Sequence, residues 1–293
     1  AELNFVPNSA GRSLRLQRTD AVGVIYSPSF AELFGNVFYA KIMEGLAETF
    51  GEAGLDLMLG QRTESAGLPR IVRQGKVDAL VVLAGEFGAE TYEGLRDCPV
   101  PVCLVDTHVD ALHSDSLTSD GFGGGRQVAE YLVDQGHREV VMVAYDTPIY
   151  NIEQRVAGFV AGLRACGIDT PEEQVVARVP NDDGAVIHVL GRLRSENPPT
   201  AVFAVNDTLA SQLMSGLAKT GVVVPRELSV VGFDDDPLAV RCIPALTTVG
   251  MDKRDLGAIS ANMVLERLGR PDKEPSHHVQ PTELVIRSSV TRV

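Results

Sequence analysis

From residue 21 onward, short runs of β-branched and aliphatic residues alternate with stretches of helical length. Runs at Val22–Tyr26, Leu55–Leu59, Ala79–Leu83 and Val100–Val105 predict four strands, and Ile42, Leu46 and Phe50, at i, i+4, i+8 spacing, predict a helix that packs on their sheet. After a polar stretch from Thr107 to Asp120 the pattern restarts, with strands at Val140–Ala144, Val175–Val179, Ala201–Val205 and Leu228–Gly232. Strands that are apolar throughout and separated by helices mark βαβ units whose sheets are covered on both faces. The expected fold is therefore α/β, in two similar lobes, each a mostly parallel sheet flanked by helices. The 293 residues are enough for two cores, at about 150 residues per domain.

Right-handed crossovers put the carboxyl ends of a lobe's strands on one edge, where open α/β sheets bind ligands. Those ends carry Ser27-Pro28-Ser29, Asp106, Asn206-Asp207 and Asp234-Asp235-Asp236. Two such edges facing each other would surround a small polar molecule. Charge narrows the partners: 26 basic residues against 39 acidic ones give −13, a field that repels nucleic acid and anionic membrane at long range. Any DNA contact must then be local. The longest apolar runs, such as Ala79–Ala84, fall far short of a membrane span, no signal segment opens the sequence, and four cysteines are few for a secreted scaffold. A cytoplasmic protein with reduced thiols and no membrane partner is expected.

Motifs for other chemistries are incomplete. Gly121-Phe122-Gly123-Gly124-Gly125 lacks the third glycine of a dinucleotide fingerprint, which falls on Arg126, and polar residues precede it; a hinge leading into a helix Gly125–Gln135 is the expectation. Cys98 and Cys103 have no zinc-site spacing and read as buried thiols, while His277 and His278 would point to opposite faces of a strand and read as solvated. The side chains of Asp234–Asp236 diverge, which disfavours a shared cation. With no phosphate loop, nucleophile elbow or HExxH pair, no catalytic residue, cofactor or metal is expected; an enzyme using Asp234 as base has no nucleophile to partner it.

Several segments together resemble the lac-repressor family of bacterial transcription regulators, whose effector domain is similar to periplasmic sugar-binding proteins. FVPNSAGRSL resembles the hinge-helix region, TDAVGVIYSPS the first core strand and YLVDQGHREVVMVA the G-H-[RK]-x-I segment; RVAGFVAGL, PTAVFAVNDTLA, GVVVPRELSVVGFDDDPLA, PALTTVGMDKRDLG and ELVIRSSV follow in family order. The resemblance covers essentially the whole chain. It implies a hinge or linker over residues 1–19, an N-terminal lobe over 20–119 and 252–277, and a C-terminal lobe over 120–251 and 278–293. It also implies a homodimer that reads operator DNA through a helix-turn-helix preceding this sequence and through the hinge, where Leu14 would wedge into the minor groove beside Arg12 and Arg15.

Carried over position by position, the resemblance places effector contacts on Ser27, Asn151, Arg155, Asn206 and Asp234, with stacking from Phe30, Phe34 or Tyr150. A carboxylate accepts two hydroxyls, a guanidinium donates as a fork and amides do both, so a sugar or related polyol is the expected effector. As a strand-end carboxylate, Asp234 is expected to contribute little to either core. Purine-binding members place an arginine where Ile149 stands, and some members stack an aromatic where Pro180-Asn181 stands, so a nucleoside or purine is the second choice. A free-standing solute receptor of a transporter is the alternative outside transcription.

Overall fold

The computed structural model describes residues 18–26, 33, 35–61, 67–83 and 89–293. Arg12, Leu14, Arg15, Ser27, Phe30 and Phe34 lie outside the described residues. The chain forms two compact units, one running to Thr118 and resuming at Lys253–His278, the other comprising Ser119–Asp252 and Val279–Val293.

The first unit is built on β1 (Ala21–Tyr26), β2 (Asp56–Gln61), β3 (Ala79–Leu83), β4 (Val102–Val105), β5 (Asp115–Ser119) and β11 (His277–Gln280), in the order β11-β5-β4-β3-β1-β2. Strands β1 to β5 pair in parallel, with Val22 opposite Leu57 on one side and Ala79 on the other. Every residue of β1 and β3 is buried, as continuous apolar runs require. Helix α1 (Val37–Glu52) starts where the Asn36 side chain accepts the Phe38 N–H at 2.9 Å. It buries Ile42, Leu46 and Phe50, the stripe read from the sequence. Short helices α2 (Arg70–Arg73) and α3 (Ala89–Arg96) follow β2 and β3.

Strand β5 corrects the sequence reading, which saw only a polar stretch there. All five residues of DSLTS are buried, and the polar groups at its start, Asp115 and Ser116, have partners. Asp115 takes a bidentate ion pair from Arg267, at 2.8 and 3.0 Å, and the Ser116 hydroxyl lies 2.8 Å from Nδ1 of both His108 and His277. His277 is thus not simply solvated; its ring lies 4.1 Å from that of His108.

The second unit holds β6 (Val140–Tyr145), β7 (Val176–Val179), β8 (Ala201–Ala204) and β9 (Ser229–Val231), parallel in the order β7-β6-β8-β9, and the antiparallel pair β10 (Thr248–Gly250) and β12 (Glu283–Val285). The C-terminal tail runs along the edge of β9: Val230 N–H donates to Ser289 O at 2.9 Å and the Ser289 hydroxyl to Val230 O at 2.5 Å. Around the sheet lie α4 (Gly121–Asp134), α5 (Tyr150–Ala165), α6 (Glu172–Val175), α7 (Asp182–Arg192), α8 (Asp207–Lys219) and α9 (Pro237–Arg241), while α10 (Lys253–Gly269) returns to the first unit.

The glycine run is not a hinge. Gly121–Gly125 form the first turns of α4, capped by the Asp120 carboxylate, which accepts the Gly123 N–H at 2.7 Å. A Cβ on Gly125 would run into the Arg155 carbonyl oxygen and one on Gly158 into that of Phe122, so α4 and α5 meet backbone to backbone. The first unit repeats the device: a Cβ on Gly45 of α1 would strike the Arg254 carbonyl, and one on Gly257 of α10 that of Ile42.

Candidate functional site

At the carboxyl edge of the four-stranded sheet, β8 ends at Ala204 and is followed by Val205-Asn206, β9 ends at Val231 and is followed by Gly232, Phe233 and Asp234, and β6 ends at Tyr145. Helix α5 sends Arg155 toward this edge from the side. Its guanidinium donates from Nη1 to the Val205 carbonyl at 2.7 Å and from Nη2 to Asp234 Oδ1 at 2.8 Å, and lies 3.8 Å from the centre of the Phe233 ring. The pair is buried, with 7% and 12% of the two side chains exposed. Arg155 Nε is buried and has no hydrogen-bond partner among the described residues. Such a donor is costly unless water or a ligand meets it.

Asp234 adopts φ 108°, a conformation rare for a residue with a Cβ, and Asp235 follows at φ 51°. The turn is held open from several sides. Asp234 N–H donates to Val249 O at 2.7 Å, Arg287 bonds Asp235 at 2.5 Å, and Asp236 N–H donates to Asp207 Oδ2 at 2.8 Å. Strain overdetermined by its surroundings gathers at functional sites.

Asp207, first residue of α8, is fully buried, and its Oδ1 accepts the Thr248 hydroxyl at 2.5 Å. Burial, reinforced by the neighbouring Asp234 charge, pushes its carboxyl up to about 8 although both hydrogen bonds favour the ionised form. The sequence reading noted Asp207 as a strand-end residue without a role. Nothing local distinguishes it from an ordinary first-turn acid; its importance comes from Thr248 and Asp236, remote in sequence or folded back.

The other residues singled out take separate places. Asn206 is half-buried, and its Oδ1 caps α8 by accepting the Leu209 N–H at 2.8 Å. Asn151 is buried in the first turn of α5, where a Cβ on Gly121 would come within 3.4 Å of its carbonyl oxygen. The run Asp234–Asp236 is not a cation cage, since its members face Arg155, Arg287 and the start of α9. No group of three or more metal-ligating side chains occurs among the described residues. Tyr145, which the sequence did not flag, donates its hydroxyl to Asp182 at 2.7 Å; burial first, then the Asp182 carboxylate, push the phenol up.

Residues 129–290 match the family of periplasmic binding protein-like domains. The chain belongs to this family. Within it, the relatives are transcription regulators. A PurR HTH-type transcriptional repressor from Vibrio atlanticus (strain LGP32) is 28% identical over 294 residues, covering 99% of this chain and 86% of the relative. A LacI family transcriptional regulator from Enterococcus faecium, solved with bound ribose, superposes with a TM-score of 0.79 at 26% identity, covering 93% of this chain and 99% of that one. At the level of fold alone, a putative transcriptional regulator LacI from Bacillus cereus subsp. cytotoxis NVH 391-98 gives a TM-score of 0.84 at 22% identity over 93% of this chain and 99% of that one. The chain is a periplasmic-binding-protein-like domain whose relatives are LacI-family transcriptional regulators and not enzymes, and it spans their effector-binding core. No helix among the described residues is long and apolar enough to cross a membrane.

Proposed function

We propose that this periplasmic-binding-protein-like core responds to a sugar or related polyol and, as a cytoplasmic homodimer, passes that signal to operator DNA. The observation that carries the reading is the buried Arg155–Asp234 pair at the strained carboxyl edge, with Arg155 Nε lacking a partner. The amides of Asn151 and Asn206 would add donors and acceptors of the kind that suits hydroxyl groups, which both donate and accept. The ribose-bound regulator from Enterococcus faecium supports this reading. The PurR relatives point to purines instead, and a nucleoside would unite the two through its ribose. Against a purine base stand Ile149, at the position where purine-binding members of the family place an arginine, and the absence of tryptophan from the chain.

Thermal unfolding of the purified chain with ribose, cellobiose, hypoxanthine or guanosine tests the choice, since a ligand at 100 times its Kd adds about 2.7 kcal/mol. A sugar is expected to raise Tm. Stabilisation by hypoxanthine with none by either sugar would overturn the polyol reading in favour of the purine one.

A further inference from the structure

A cavity of about 420 Å³ opens in the first unit at the amino ends of β4 and β5, the sheet edge opposite to Asp106. That volume lies in the range of small-molecule sites. Prolines at 99, 101, 271 and 275 line it, and their fixed φ stiffens the walls. Its polar groups are unevenly satisfied. The Asp115 carboxylate is saturated: Oδ2 accepts Arg267 Nε at 2.8 Å, and Oδ1 accepts Arg267 Nη2, the Ser276 N–H and the Ser276 hydroxyl at 3.0, 2.9 and 3.2 Å. Arg267, with only 10% of its side chain exposed, makes no hydrogen bond from Nη1 among the described residues. The Ser114 hydroxyl, on the same cavity, is buried and also without a partner among the described residues.

Two unmet donors beside a saturated carboxylate make a site for negative charge. Arg96 adds positive field at the mouth, and Lys273 contributes there although its ammonium also pairs with Glu266 at 2.7 Å. Asp272 and Glu274 oppose it there but are exposed and screened by water, whereas Arg267 acts from a desolvated position. We propose that this cavity is a second ligand site, for a small anionic metabolite whose carboxylate or phosphate rests on Arg267 Nη1 and the Ser114 hydroxyl. Asp115 and Ser276 tie the same cluster to the segment entering β11, through which the chain leaves the first unit at His278. A second effector bound there would bear on that segment.

Calorimetric titration of the whole chain with inorganic phosphate and, separately, with citrate tests the site and distinguishes a phosphate from a carboxylate head group. Saturable binding of at least one probe is expected, weakened about tenfold by Ser114→Ala and again by Arg96→Ala with Lys273→Ala. These positions spare the Arg267–Asp115 pair, so the variants fold. Arg226→Ala, an exposed arginine of the second unit, removes one positive charge elsewhere and should leave affinity unchanged. No saturable heat with either probe, affinity unmoved by the cavity variants, or equal weakening by Arg226→Ala would each overturn the proposal.

Discussion

Arg155 and Asp234 are each other's partner before any ligand arrives, which changes what their removal does. Either alanine substitution is expected to weaken effector binding about 10- to 100-fold, because a charge-assisted hydrogen bond contributes about 1.5–3 kcal/mol. Calorimetry on single and double variants should show non-additive losses, since both act on one cluster. The sequence reading held that Asp234 adds little to the core. The structure corrects this: removing either partner takes the buried counter-charge from the other, so urea unfolding of each single variant should show a loss of about 3 kcal/mol or more. Asp207 gives a pH signature with a definite sign. Its carboxyl is raised in the fold from 3.8 to about 8, so the native state holds a proton that the unfolded chain releases. The stability it contributes is full below the unfolded value and is lost as pH rises through about 8, by up to about 1.4 kcal/mol per pH unit within that window. Asp207→Asn cannot titrate; urea unfolding at pH 6 and pH 9 should show the variant gaining on the parent as pH rises. Arg155 and Asp234 were singled out in sequence through the order of family segments, and the structure brings them together as a buried pair, while their role toward an effector belongs to the proposal. Asp207 and Phe233 were not legible there, because their roles arise from long-range packing that no local pattern encodes.

Among the elements, the strands announced by continuous apolar runs are present within one or two residues of where the chain places them, as with Ala79–Leu83 and Val140–Tyr145. Strand β5 escaped notice because its burial rests on an ion pair and hydrogen bonds to residues some 150 positions away rather than on apolar side chains. The run Gly121–Gly125 misled in the opposite direction. Glycine reads as flexibility along the chain, yet here it lets two helix backbones touch and fixes the helix that carries Asn151 and Arg155. Alanine would gain about 1 kcal/mol of helix propensity at such a position, but its Cβ has no room. Gly158→Ala and Gly257→Ala should therefore lower stability by about 1–3 kcal/mol, read by chemical denaturation, while Gly51→Ala, in open space on α1, should be neutral or stabilising.

For the whole molecule, regulators of this family are dimeric, and two-fold symmetry matches a protein dimer to a palindromic operator. Sedimentation at micromolar concentration should give about twice 31.4 kDa; a strictly monomeric species would count against the homodimer. With a charge of −13, duplex DNA should bind this chain weakly or not at all at physiological salt, which fluorescence anisotropy can read. The path of the chain carries a further consequence. The chain passes between the two units three times, and the last passage delivers the tail that borders β9 and supplies β12. Neither unit is encoded by one uninterrupted stretch of gene. A premature stop or a protease nick just past Gln280 would leave the strands of the first unit's sheet whole, yet strip the second unit of Arg287, Ser289 and Thr291 and of the hydrogen bonds they make to Asp235, Val230 and His137. Loss of thirteen residues from the far end would thus disarm the proposed effector site, whose principal residues lie up to 130 positions upstream.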